Sequence, residues 1–418
     1  MTSRALPQST DPVTELAVPL TEPRRPATAL LVIGTRPEAI KLAPLFTALR
    51  ERQGVQPLVV TTGQHQAVVD DVLELFGIIP QRELRVPRRR ADGLVSLYAD
   101  LLGQLDRAMA LLDPDVVVVQ GDTASVLAGA QAAFLQRRPV VHVEAGLRSG
   151  SLSAPFPEEA NRRLVSTLAS LHLAPTPTAE ANLLLEGHSP DSVLVTGNTA
   201  VDALMFAVAA PAPLPDPRLE SACSPGRRLV VVTAHRRESW GDGMKRIASA
   251  VATLADAHPE VLFAAVTHMN PSVRQVFETA SVGRSNVFVT EPLRYVQFVR
   301  LLAGAEVVLT DSGGIQEEAP VLGVPVLVMR ERTERIEGLD AGAAELVGTD
   351  AAVIVAATNR VLTGPRERSR VIPGSLYGDG RAAARSAAAI GWLLGLCSRP
   401  EPFDARPLIS QPASVVTH

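Results

Sequence analysis

An α/β fold built from two doubly wound parallel domains is the class this sequence predicts. Short continuous β-branched runs recur along the chain, and segments of helical length separate them. Runs that are apolar at nearly every position fit strands buried on both faces of a parallel sheet. The 418 residues exceed one ordinary core and suit two domains. Hydrophobic residues make up 46% and charged residues 20%, a globular composition.

Residues 1–26 are rich in Pro, Thr and Ser and read as a disordered extension. The first domain, residues 27–200, carries strand-like runs at 29–33, 58–62, 116–119, 140–143 and 193–196. A helix is expected over 37–50, directly after the first run. The segment 198–228 holds Pro211, Pro213, Pro215, Pro217 and Pro225 and no strand pattern, so it reads as the crossover. The second domain, residues 201–377, carries runs at 229–233, 262–267, 287–290, 307–310 and 325–329, with a helix over 243–258. An Ala-rich helix follows within 378–397, and 398–418 reads as a second disordered tail.

The formal net charge of -4 argues against a general nucleic-acid binder, which calls for a basic face. Cys223 and Cys397 make no disulfide framework and no zinc-ligand cluster, so a reducing, cytoplasmic setting is expected. The apolar runs stop short of a membrane span, and the N-terminus lacks the apolar core of a signal peptide. Lys41 and Lys245 are the two lysines among many arginines.

Ligands of open α/β sheets bind at the carboxyl ends of the strands. The turns expected there are polar. Gly34-Thr35-Arg36-Pro37-Glu38 opens a helix with capping-box spacing and Pro in the first turn. Capping alone would account for it. Arg36 and Lys41 add two cations suited to phosphate oxygens. Asp311-Ser312-Gly313-Gly314 follows another strand, where two glycines let a ligand approach the backbone. The helix behind it offers free N–H groups to a diphosphate. Glu318 lies one turn in, placed to accept ribose hydroxyls, while Glu317 points about 100° away and is expected in solvent. Acid–base candidates are Asp122, Glu144, Glu158 and His235. Taken singly, each has a bland reading: Asp122 as a helix N-cap, Glu144 and Glu158 as partners of Arg148 and Arg162, His235 near the core. Neither G-x-G-x-x-G after a strand nor G-x-x-x-x-G-K-[ST] occurs, which weakens NAD and ATP readings.

These motifs together resemble the non-hydrolysing UDP-N-acetylglucosamine 2-epimerases. The likeness rests on residues 34–41, Gln120-Gly121-Asp122-Thr123, residues 142–148, residues 157–162, Ala234-His235-Arg236-Arg237-Glu238 and residues 311–320, in the family's order. The resemblance implies a GT-B-like fold, two Rossmann-like domains facing across a cleft, with the 378–397 helix crossing back to the first. It implies reversible C2 epimerisation of UDP-N-acetylglucosamine to UDP-N-acetylmannosamine, by elimination and re-addition of UDP through a 2-acetamidoglucal. No cofactor and no metal are implied, and a homodimer is expected. Asp122, Glu144, Glu158 and His235 match catalytic and sugar-pocket positions. Arg36, Arg162, Phe298, Ser312, Gly313, Gly314 and Glu318 match positions that hold UDP, and Lys41 an essential basic residue. Gln64, His65 and His268 resemble residues of an allosteric substrate site, although Ala67 stands where a glutamine is usual. Ile336, Leu376 and Ser239 also depart from the family pattern. Three alternatives stay open: a hydrolysing 2-epimerase releasing N-acetylmannosamine, a GT-B glycosyltransferase, and a non-catalytic UDP-sugar-binding protein.

Overall fold

Parallel strands flanked by helices organise both halves of the chain. The computed structural model describes residues 25–64, 66–85, 93–153, 155–234, 236, 239–267, 271–364 and 376–404. His65, His235 and His268 lie outside these residues, as do 1–24 and 405–418 of the expected extensions. Two compact units result. Thr199 is the last residue of the first unit's main body, which Arg381–Asp404 rejoins; Ala200–Gly380 forms the second.

The first unit holds seven strands: β1 (Ala27–Ile33), β2 (Val55–Thr61), β3 (Arg82–Glu83), β4 (Val116–Gln120), β5 (Val140–Val143), β6 (Leu171–Ala174) and β7 (Val193–Val195). Their order is β3-β2-β1-β4-β5-β6-β7, and every pairing is parallel. The second unit holds β8 (Arg228–Thr233), β9 (Val261–Val266), β10 (Val287–Thr290), β11 (Val307–Thr310), β12 (Val326–Val328) and β13 (Ala344–Leu346), in the order β10-β9-β8-β11-β12-β13. These pairings are parallel too. The strand order reverses at β1/β4 in one sheet and at β8/β11 in the other. Crevices for ligands open at such switch points, beyond the strand carboxyl ends.

All residues of β1, β4 and β5 are buried, as helices on both faces require. The helix Arg36–Glu51 covers one face of the first sheet, and Ala382–Leu393 packs against it. That contact is close because Gly391 lacks a side chain: a Cβ there would stand 2.5 Å from Arg52 Nε. The segment between the sheets contains no strand but forms two helices, Thr199–Ala209 and Pro217–Ala222. β3, β6 and β13 go beyond the sequence expectation. β3 has two residues and β13 lies at a partly exposed sheet edge, so neither shows an apolar run. In β6 the run is interrupted by His172, which is nonetheless buried between the carbonyl oxygens of Ser166 and Ser192, at 3.0 and 3.1 Å. Desolvation depresses its imidazole to about 4. Among the described residues, no helix is long and apolar enough to cross a membrane.

Candidate active site

At the β1/β4 switch point the chain makes two turns that touch. The first, Gly34-Thr35, leads from β1 into Arg36–Glu51. Gly34 is needed there for space, since a Cβ would lie 2.2 Å from Ser125 Oγ and 2.8 Å from Thr62 Oγ1. The second turn, Gly121-Asp122-Thr123, leads from β4 into Ala124–Leu135, whose N-cap is Thr123 rather than Asp122. Gly121 adopts φ +83°, a left-handed conformation that glycine takes without strain.

Glu144 follows β5 and is itself left-handed, with φ 61°. Its carboxylate accepts from Lys41 Nζ on one oxygen and from Gln120 Nε2 on the other. Lys41 comes from the first helix and Gln120 from the last position of β4, so three elements converge on one carboxylate. Glu144 and Lys41 are 9% and 6% exposed, so each neutralises a charge the other would otherwise leave buried. Asp122 lies on the adjacent turn. Its Oδ2 is 2.7 Å from an Arg162 guanidinium nitrogen, and its backbone carbonyl accepts from Asn161 Nδ2 at 2.8 Å. The other arm of Arg162 meets Glu159 Oε2 at 3.0 Å. Arg162 therefore spans Asp122 and the buried Glu159 instead of pairing with Glu158, and Arg148 pairs with Glu186 instead of Glu144. Glu158 is half-buried at the first position of Glu158–Leu168. Arg36 is half-buried at the start of its helix, and Gln64 Oε1 accepts from Ser125 Oγ at 3.1 Å.

In the second unit the turn Asp311-Ser312 leaves β11 and opens the helix Gly313–Val321. Asp311 is fully buried and anchors the β8 end: its Oδ2 accepts from the Arg236 amide at 2.9 Å and its carbonyl from Arg236 Nε at 3.1 Å. Ser312 donates its amide to Thr310 Oγ1 at 3.0 Å. Beyond its chain neighbours and its own helix backbone, no described protein atom lies within 4 Å of the place a Gly314 Cβ would occupy. Glu318 is buried one turn in, accepting from Tyr295 Oη at 3.3 Å, and Phe298 packs in the core of the same unit.

Glu317 corrects the sequence reading. It is 2% exposed, not solvated, and accepts from Arg335 Nε at 3.0 Å. Arg335 also bonds Glu334, which Arg330 reaches at 3.1 Å and Arg236 approaches at 3.8 Å. The Arg335 guanidinium carbon lies 3.1 Å from the place a Gly313 Cβ would take, so this buried network forms the floor beneath the turn.

The family model of UDP-N-acetylglucosamine 2-epimerase matches residues 47–391. The chain belongs to this family. The 2-epimerase of Escherichia coli K12 is 43% identical over 86% of this chain and 97% of its own length. The Staphylococcus aureus MnaA–UDP structure superposes with a TM-score of 0.85 at 38% identity, covering 90% of this chain and 100% of that one. The Neisseria meningitidis UDP-GlcNAc 2-epimerase, solved with UDP-GlcNAc, gives 0.80 at 38% identity, over 87% and 99%. The fold class of this 2-epimerase family member is accordingly α/β and GT-B-like. Asp122, Glu144, Lys41 and Arg162 gather at one sheet edge of the first unit, while Ser312, Gly313, Gly314, Phe298 and Glu318 gather in the second.

Proposed function

We propose that this chain interconverts UDP-N-acetylglucosamine and UDP-N-acetylmannosamine without releasing free sugar. The observation that carries the reading is the carboxylate pair Asp122 and Glu144 on neighbouring strand ends, with Glu144 gripped by Lys41 and Gln120, in a member of the 2-epimerase family. The C2 proton of the sugar has no adjacent carbonyl to acidify it. Breaking the C1–O bond to UDP spreads positive charge over C1 and the ring oxygen, and the C2 proton then becomes acidic. Carboxylates stabilise such oxocarbenium character. Loss of that proton leaves 2-acetamidoglucal and UDP. Protonation on the opposite face of C2 and return of UDP to C1 give the epimer. Two faces of one carbon need acid–base groups on both sides, a role for Asp122, Glu144 and Glu158. Arg36 and, on sequence grounds, His235 steady charge on the departing diphosphate. The reaction is redox-neutral and calls for no cofactor.

A time course by proton NMR tests this. Starting from either UDP-sugar, both directions should converge on one ratio while free UDP stays low, and in deuterium oxide the product should carry deuterium at C2. Steady, stoichiometric release of N-acetylmannosamine would make the chain a hydrolysing epimerase instead. No conversion in either direction would leave a binding protein.

The Glu318 carboxylate, one turn inside the helix that Gly313 and Gly314 open, is assigned to the ribose hydroxyls. Glu318→Ala should then weaken UDP binding by roughly 1.5–3 kcal/mol, the worth of charged hydrogen bonds. An unchanged dissociation constant by calorimetry would remove Glu318 from the nucleotide.

A further inference from the structure

We propose that Glu38 is a positioning residue for this reaction: its carboxylate locks the Arg36 turn to the Asp122 turn, and turnover requires the lock. The inference rests on the function proposed above. A helix cap needs only groups of its own turn, and Glu38 has them: the Thr35 amide at 3.2 Å, the Thr35 hydroxyl at 3.0 Å, and the Gly34 amide. The fourth donor is foreign to the helix. Thr123 Oγ1, 85 residues away in sequence and adjacent to Asp122, donates to Glu38 Oε1 at 2.7 Å. The same hydroxyl accepts the Val126 amide at 3.4 Å, so one chain of hydrogen bonds runs from the start of Ala124–Leu135 into the start of Arg36–Glu51. Ser125 presses on Gly34 beside it, leaving no room for a Cβ.

Glu38 is 2% exposed and, among the described residues, has no ion-pair partner. Amides and hydroxyls alone face it; the charged neighbours in sequence, Arg36 and Lys41 on its own helix and Asp122 on the other turn, are not among its partners. Burial pushes its carboxyl up to about 7, against the hydrogen bonds that favour the charge. A protonated carboxyl must donate, whereas all four neighbours are placed as donors. Two are amides that cannot accept, and the hydroxyls of Thr35 and Thr123 both donate to Oε1. A proton on the carboxyl removes the charge that strengthens these bonds and weakens the link to Thr123.

The test uses the full chain carrying Glu38→Gln, Thr123→Val or Thr123→Ser. Glu38→Gln and Thr123→Val should each lower kcat by about 10- to 100-fold with KM within about twofold, as expected for misplaced groups. Wild-type kcat should fall below about pH 7, and that limb should vanish in Glu38→Gln. Thr123→Ser keeps the hydroxyl and should keep the rate. Amide exchange over residues 34–38 should accelerate in Thr123→Val, a readout independent of activity. Exchange there unchanged from wild type overturns the lock, whether or not the chain epimerises. In an active wild type, kcat within about twofold in both variants, or a limb near pH 7 that survives in Glu38→Gln, overturns it too. A wild type that makes no epimer refutes the proposed function instead, and the exchange measurement still decides the lock.

Discussion

Glu144→Gln is expected to lower kcat by about 100- to 10,000-fold, the range seen when a positioned acid–base group is removed. The substitution keeps the size of the side chain and its reach toward Gln120, but it removes the anion that faces Lys41. A buried ammonium then loses the Glu144 charge, and stability should fall as well, by about 3–5 kcal/mol for a broken buried pair. The rate must therefore be measured well below the melting temperature of the variant. The double variant Lys41→Met, Glu144→Gln separates the two effects: it removes both charges and should regain stability without regaining turnover. With UDP assigned, as proposed, to Glu318 and the Gly313 turn of the other unit, UDP binding should survive in each case. A Glu144→Gln enzyme within about tenfold of wild type would exclude Glu144 from the proton transfers.

The parts of the fold legible in the sequence are those buried on two faces. β1, β4, β5, β8 and β11 are apolar at almost every position because helices cover both sides of each sheet. Edge strands have no such obligation. β3 is two exposed residues, and β13 is held to β12 by backbone pairing that needs no apolar run. β6 hides for a different reason. Unlike β5, where three valines surround His142, β6 has no β-branched residue, so its histidine breaks the pattern; the carbonyls of Ser166 and Ser192, supplied by other elements, make the burial of His172 tolerable.

The site divides in the same way. Residue types at strand ends point to Asp122 and Glu144, and helix position points to Lys41 and Arg36. Partners cannot be obtained so. Gln120 is the last residue of a strand, and nothing local distinguishes an amide that grips Glu144 from one that faces water. Arg162 bonds Asp122 across 40 residues of chain and Glu159 within one helical turn. Glu159, fully buried, carries no sequence signal beyond its neighbour Glu158. Glu317 misleads outright: helix geometry aims it away from Glu318, and the element waiting on that side is the Arg335 segment, which no local rule supplies.

That segment carries an expected effect on stability as large as that of the Lys41–Glu144 pair. Arg335→Met should destabilise the second unit by about 3–5 kcal/mol, because it breaks a buried ion pair and leaves the other charge in place. Glu334 would keep Arg330 at 3.1 Å, so the heavier loss falls on Glu317, whose Arg335 bond disappears at a side chain 2% exposed to water. For a unit of this size the melting temperature should drop by roughly 10 °C. Arg335→Lys should fall between, since an ammonium restores charge but cannot bond Glu317 and Glu334 as a planar fork does. If the Gly313 turn holds the diphosphate as proposed, nucleotide binding should weaken along with stability, because the guanidinium packs directly beneath Gly313. Pairing Arg335→Met with Glu317→Leu also removes the carboxylate that lost its Arg335 bond and should recover most of the melting temperature, while UDP affinity stays low because the floor under the turn is still missing. A single variant that melts within about 1 kcal/mol of wild type would show that solvent or a neighbouring cation already compensates Glu317, and the network would then be dispensable to the fold.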